Sequence, residues 1–307
     1  LRARADAWRG IPAAATQTTS VGVRSAIGLG NNHSCQVRPR GTLWCWGSNI
    51  MSQLGDNSDQ DSAVPTKVVG TGWASVTGGI WHTCGLRDDA SAWCWGNNWY
   101  GQIGTPLGTI WKEPIQVPGE WSVIAAGGNF TCGIRSDGTL WCWGDNYAGQ
   151  LGDGTTEERH APTQVGTADD WSDVRAGTQH ACALRDTGTL WCWGRNGYGQ
   201  VGDGSVDERH APVQVGTGAD WVRISVGSTN TCGVKADGTA WCWGDNYSGL
   251  VGNGSDTAAV IPAQVGLAST WLRVETGSYQ TCGVRANGSA WCWGLNSFGQ
   301  VGDGTSG

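Results

Sequence analysis

Twelve cysteines carry the clearest chemistry in this 307-residue chain, because they fall into six pairs of one constant spacing: Cys35 with Cys45, Cys84 with Cys94, Cys132 with Cys142, Cys182 with Cys192, Cys232 with Cys242 and Cys282 with Cys292. The second cysteine of each pair lies inside the tetrapeptide Trp-Cys-Trp-Gly, and none is left over. Paired thiols can oxidise to disulfides or hold zinc. Zinc sites are usually built on Cys-x-x-Cys spacings or on histidines that accompany the cysteines. Here nine residues always intervene, and no histidine recurs with every pair. Disulfides are therefore expected, and with them an oxidising compartment: extracellular, periplasmic or at the cell surface.

No other residues assemble into a catalytic set. His33, His82 and His180 each stand two positions before the first cysteine of a pair, but Phe130, Asn230 and Gln280 occupy the equivalent positions elsewhere. That distribution suits a hydrogen-bonding residue in the loop that enters a strand better than a shared site. Asp153-Gly154, Asp203-Gly204 and Asp303-Gly304 recur without the neighbouring acids a calcium loop needs. Gly149-x-x-Gly152-x-Gly154 is followed by neither a helix nor a lysine, so it is no phosphate loop. The expectation is a protein that is not an enzyme and carries no metal or cofactor.

The elements that position these residues repeat. Successive Trp-Cys-Trp-Gly cysteines are 49, 48, 50, 50 and 50 residues apart, so the chain is an array of one supersecondary unit. Gly is abundant (51), Met nearly absent (1) and charged residues only 15%, which fits tight turns and little surface helix. Residues 1–27 read as an N-terminal segment that includes a closing strand, and residues 28–307 as six repeats of the same single domain. The net charge of −7 disfavours nucleic acid, and Arg2, Arg4 and Arg9 form the only basic cluster. The chain shows neither a signal-peptide core nor an apolar run long enough to span a membrane, as a mature secreted product would.

Within one repeat, short apolar runs alternate with Gly and Asp-Gly turns and no helical period occurs. A three-residue loop Ser136-Asp137-Gly138, with Gly138 in the left-handed conformation, would set Cys132 opposite Cys142. Directly opposed residues lie about 4.5 to 5.5 Å apart, within reach of a disulfide. Gly41, Gly188, Gly238 and Gly288 occupy the same loop position; Ala90 does not fit, so its hairpin should be strained or use another turn. Alternation then puts Trp141 and Trp143 on one face and Leu140 with Cys142 on the other. A sheet apolar on both faces must be sandwiched, and radial stacking of such sheets makes an all-β propeller of six blades.

The string from His180 to Gly204, and its variants in the other copies, resembles the repeat of the regulator of chromosome condensation family. The resemblance covers nearly the whole chain and implies a propeller, usually of seven blades. A six-bladed ring closed by the N-terminal strand is expected here, with a degenerate seventh blade before Gly28 as the alternative. Members of that family include a nucleotide exchanger on a small nuclear GTPase, an ultraviolet-B photoreceptor and a secreted β-lactamase inhibitory protein. Disulfides and acidic balance argue against the first role. Since most Trp residues repeat at packing positions, light sensing is not expected either.

Recognition is expected where the copies differ. The loop before each first cysteine contributes Asn32, His33, Trp81, His82, Asn129, Phe130, Gln179, His180, Asn230, Tyr279 and Gln280, and the irregular second copy adds Trp99, Tyr100 and Trp111. Aromatic anchors among adaptable amides suit a protein partner or a glycan. The function expected is a secreted or cell-surface module that binds protein or serves as a structural scaffold. The alternatives are a carbohydrate-binding propeller and a subunit that self-assembles by exchanging its N-terminal strand.

Overall fold

Five of the six hairpins turn on a glycine of positive φ. Gly138 has φ +81°, and its amide donates to the Arg135 carbonyl at 3.0 Å. The register that follows pairs Leu140 with Ile134 and Cys142 with Cys132. The same register recurs in all six copies, so every expected bridge forms: Cys35 to Cys45, Cys84 to Cys94, Cys132 to Cys142, Cys182 to Cys192, Cys232 to Cys242 and Cys282 to Cys292. The Cα atoms of each pair are 4.1 Å apart, slightly closer than the 4.5 Å lower limit expected from strand pairing. Cys45 and Cys192 are fully buried, and each faces the neighbouring blade from the middle of its strand. Ala90 does not escape to another turn. It adopts φ +65°, the conformation its glycine counterparts use without strain.

The computed structural model describes residues 26–306 apart from 106, 107 and 109. Its described residues form strands and turns and no helix, hence none long and apolar enough to cross a membrane. The strands make six antiparallel blades of a β-propeller. Blade 4 is representative: Trp171–Ala176, His180–Arg185, Leu190–Gly194 and Arg209–Gln214, paired in that order. The first strands of successive blades lie next to one another, which makes them the inner strands. Blades 2 and 3 share the 16-residue strand Trp111–Ala126; its first part pairs as the outer strand of blade 2 and its last part as the inner strand of blade 3. Blade 6 has three strands, Trp271–Thr276, Gln280–Arg285 and Ala290–Gly294. The closing strand expected within residues 1–27 lies outside the described residues, except that Ile27–Leu29 forms the inner strand of blade 1.

The core is divided among the junctions between blades. Five apolar clusters are present, and each joins the disulfide face of one blade to the two-Trp face of the next. Between blades 2 and 3, Cys84, Leu86, Ala92, Cys94 and Ile103 meet Trp121, Ile124 and Trp143. The expected sandwiching is thus what holds the array together. A fully buried Trp removes 150 to 250 Å² from water, about 4 to 6 kcal/mol as an upper bound. A disulfide closing so short a loop adds about 2.7 kcal/mol. Trp burial therefore dominates, and the bridges secure the register of hairpins that burial holds in place.

At the hairpin end a cation is stacked between two indoles in blades 2 to 6. Arg135 lies 5.4 Å from the Trp121 ring and 3.8 Å from Trp141, and Lys235 replaces it between Trp221 and Trp241. Blade 1 keeps only Arg38 over Trp44. The ring quadrupole attracts each cation to the indole face.

Ala90→Gly should raise stability by up to about 1 kcal/mol, because it removes left-handed strain at a turn the other hairpins build with glycine. The urea midpoint reads it; an unchanged or lower midpoint would show that the turn carries no strain.

Candidate binding face

The loop between the first and second strands and the loop after the third strand of each blade are tied together by one backbone bond. Asn97 N donates to the Trp81 carbonyl, Asp145 N to Asn129, Arg195 N to Gln179 and Leu295 N to Tyr279, at 2.8 to 3.0 Å. One end of the propeller therefore collects all twelve loops. Asn32 and Tyr279 are exposed there, while Trp81, Asn129, Gln179 and Gln280 are half-buried.

The histidines and their counterparts do not belong to that surface. His33, His82, Phe130, His180 and Asn230 are buried at the junctions between blades. His82 Nε2 bonds Thr131 Oγ1 of the next blade at 2.9 Å, and Thr131 Oγ1 donates to the Gln102 carbonyl at 2.7 Å. That carbonyl also accepts Trp143 Nε1 at 2.9 Å. The same clamp forms from His33, Thr83, Gln53 and Trp95, and from His180, Thr231, Gln200 and Trp243. Between blades 3 and 4, Phe130 and Ala181 replace the His–Thr pair together, and only the Trp193 bond to Gln150 remains. Five clamps thus share the Trp-to-carbonyl bond, the last from Trp293 to Leu250.

Because the Thr hydroxyl gives its proton to the carbonyl, the imidazole Nε2 must carry the proton it donates. Nδ1 is then buried without a donor in all three histidines. Protonating it would bury a charge, so burial lowers the pKa of His33 to about 4 and of His82 and His180 to about 3. Trp111 is also lost to the face, since it packs against the apolar clusters on both sides of blade 2.

What the sequence reading missed is a ring of exposed apolar side chains in the turn after the third strand. Ile50, Trp99, Tyr147, Tyr198, Tyr247 and Phe298 occupy this turn, one in each blade, and all are exposed, Tyr247 at 80% and Phe298 at 91%. Tyr100 sits beside Trp99, half-buried. The turn is rigid. In blade 3 the Asn146 side chain accepts Leu151 N at 2.9 Å and donates to Thr155 and to the Glu157 carbonyl, while Gln150 Oε1 accepts Ala148 N. The large residue at one of the two variable positions of the recurring Asn-x-x-Gly-Gln motif was the available signal.

The charged residues around this end are engaged in structure. Asp153 accepts Thr155 N, Thr155 Oγ1 and Arg159 Nε, and Asp203 is held likewise by Ser205 and Arg209. Those bonds hold both carboxyls below their usual range despite partial burial. Asp145 is pushed up, chiefly by burial. Among the described residues no cluster of His, Cys, Asp or Glu could hold a metal ion.

Comparison with known proteins follows the same lines. A sequence profile of the regulator of chromosome condensation (RCC1) repeat matches residues 40–86, 89–134, 137–184, 187–234 and 237–284. A second profile of that repeat matches six segments from 25–53 to 272–300. No curated protein matches the chain. Among solved structures, human WBSCR16 has a TM-score of 0.81 at 21% identity, over 92% of this chain and 78% of that one. Prp20p from Saccharomyces cerevisiae, whose binding to Gsp1p and histones is described, scores 0.80 at 20% identity, over 91% of this chain and 73% of that one. Yeast RCC1 (Prp20) bound to Kap60 scores 0.77 at 21% identity, over 90% and 70%.

Acid should weaken the three histidine clamps. Above pH 6.5 the imidazoles are neutral in both the folded and the unfolded chain. Below it the unfolded chain binds protons that folded His33 refuses until about pH 4 and His82 and His180 until about pH 3. Stability then falls by up to about 1.4 kcal/mol per pH unit for each group. The pair His180→Phe with Thr231→Ala copies the natural Phe130–Ala181 junction and should remove the His180 share of the loss, about a third of the part due to the three histidines, from the difference between neutral and acid urea midpoints. Identical pH profiles for the two proteins would rule out the clamp as the cause.

Proposed function

This chain belongs to the regulator of chromosome condensation (RCC1) repeat family, and on that premise we propose that it is a non-enzymatic propeller that binds a protein partner outside the cytosol. The observation that supports this reading is the ring of exposed apolar side chains, five of the six aromatic. Six turns locked by their own Asn side chains hold Ile50, Trp99, Tyr147, Tyr198, Tyr247 and Phe298 toward solvent at one end. A side chain with few rotatable bonds on a fixed backbone loses little entropy on docking, and Trp and Tyr are favoured contact residues for that reason. Asn32, Trp81, Asn129, Gln179 and Tyr279 provide the inner part of the same end. Six disulfides with no free cysteine among the described residues fit an oxidising, extracellular or cell-surface setting. Prp20p and its complex with Kap60 are precedents for protein binding on this fold, without identifying the partner here.

A second reading, glycan binding, is favoured by a cleft of about 220 Å³ at the hairpin end between blades 3 and 4. Trp171, Trp191 and Pro212 wall it, and Arg185 supplies a charge. It is smaller than usual small-molecule pockets, so it ranks second.

Affinity capture with the oxidised protein from an extracellular medium should retain one partner, and Trp99→Ala with Tyr247→Ala should reduce retention about tenfold or more at unchanged thermal midpoint. Retention unaffected by the pair would move binding off this end. Saturable glycan binding abolished by Trp191→Ala would favour the cleft instead.

A further inference from the structure

Blades 2 to 5 have a described blade on each side, and at the end that collects the loops their exposed Trp99, Tyr147, Tyr198 and Tyr247 are interleaved with carboxylates. The chain between the third and fourth strands sets that order. Asn146 Nδ2 donates to the Glu157 carbonyl and Asn196 Nδ2 to the Asp207 carbonyl, both at 2.9 Å, so each acid is fixed beside the turn that presents Tyr147 or Tyr198. Three residues further on, the same stretch lies against the turn of the preceding blade: a Cβ at Gly101 would sit 2.5 Å from His160 Cα, and one at Gly149 2.8 Å from His210 Cα. Glu157 and Glu158 therefore stand between the turns of Trp99 and Tyr147, and Asp207 and Glu208 between those of Tyr147 and Tyr198.

All four acids are exposed, and among the described residues none pairs with a lysine or arginine. Glu158 is 3.4 Å from His160 and Glu208 3.9 Å from His210, partners that carry charge only when protonated. Arg159 and Arg209 are taken by Asp153 and Asp203, and Lys112 by Asp59. The loops at this end carry acids in five of the six blades but a single base, Arg195, which bonds Gln179 Oε1. The cations that stack on indoles, such as Arg135 at 3.8 Å from the Trp141 ring, stand at the opposite, hairpin end. Rings flanked by unpaired carboxylates are thus left without the cations that such rings attract.

We infer, resting on the protein-binding reading above, that the partner at this end is basic: a protein surface whose Arg and Lys side chains lie over the exposed Trp and Tyr rings and pair with Glu157, Glu158, Asp207 and Glu208. Charge complementarity selects this occupant. An acidic partner would bring like charges together at each gap between turns. An apolar one would take four carboxylates out of water without a counter-charge.

Fluorescence anisotropy of a labelled arginine-rich peptide, with its glutamine and glutamate counterparts, tests this on the oxidised full chain. The arginine peptide should saturate the protein and bind about tenfold more weakly at about 300 mM than at about 50 mM salt, while the counterparts do not bind. Changing the four acids together (Glu157→Gln, Glu158→Gln, Asp207→Asn, Glu208→Gln) should weaken it about tenfold, and so should Trp99→Ala with Tyr247→Ala. The same change of charge at the hairpin end (Asp88→Asn, Glu120→Gln, Asp169→Asn, Asp186→Asn) should leave binding as it was, with thermal midpoints retained throughout. Equal loss in the two fourfold variants, or equal binding of the glutamine peptide, overturns the proposal. So does binding that appears only after Arg2, Arg4 and Arg9 are changed to Ser, since that assigns the end to the chain's own basic segment. A captured partner that needs Trp99 and Tyr247 but ignores salt and the four acids would keep the binding end and remove the basic partner; one that ignores both sets would remove both.

Discussion

One backbone carbonyl per junction, accepting the Trp indole of the next blade, is the contact on which the rest of the structure depends. It is present at all five formed junctions, whatever else changes around it. The bond does two things at once. It satisfies the only polar atom of a side chain that is otherwise buried, and it fixes where the next blade stands relative to the turn that offers the carbonyl. A buried Trp without that partner would lose part of what its burial gains.

The His–Thr part of the clamp is a different case. Between blades 3 and 4 both partners are apolar, Phe130 and Ala181, and the junction still packs with both buried. Replacing one partner would strand a buried donor or acceptor, whereas replacing both removes the need for either. The paired substitution is the pattern that rule predicts. It shows that the histidines serve packing and orientation, since a junction without one keeps the same neighbours and the same Trp bond. Disulfides act at yet another level, inside the hairpin, where they hold the pairing that presents Trp on one face and the bridge on the other.

Stability and the proposed recognition share one piece of chain. The Asn-x-x-Gly-Gln turn gives its Gln carbonyl to the next blade and, two or three residues earlier, points a large apolar side chain into solvent. The turn backbone is fixed by the same Asn side chains that shape it, so any partner at that end meets side chains presented from a fixed backbone. Placing variable residues on turns fixed by a scaffold is how repeat proteins change what they bind without changing their fold.

From the residues alone, much of the scaffold was legible. Constant spacing gave the repeat, a glycine three residues after Arg135 gave the turn, and the turn determined that Cys132 faces Cys142 and that Trp141 and Trp143 share a face. The same reasoning placed Cys45 opposite Cys35 and Cys192 opposite Cys182. These are local consequences of chain geometry, and local geometry is what sequence period records. Ala90 shows the limit: whether its hairpin would distort or bear strain depended on the tertiary contacts that hold its strands in register, and they kept the turn. The site was less legible. His33, His82 and Phe130 looked like loop residues near a binding face, and only the packing of one blade on the next put them in the interior. Tyr147, Tyr198 and Tyr247 were not singled out from the sequence, and only the assembled end of the propeller left them exposed in a common ring. Burial and exposure of a loop side chain depend on which blade stands beside it, and that neighbour lies about fifty residues away in the sequence.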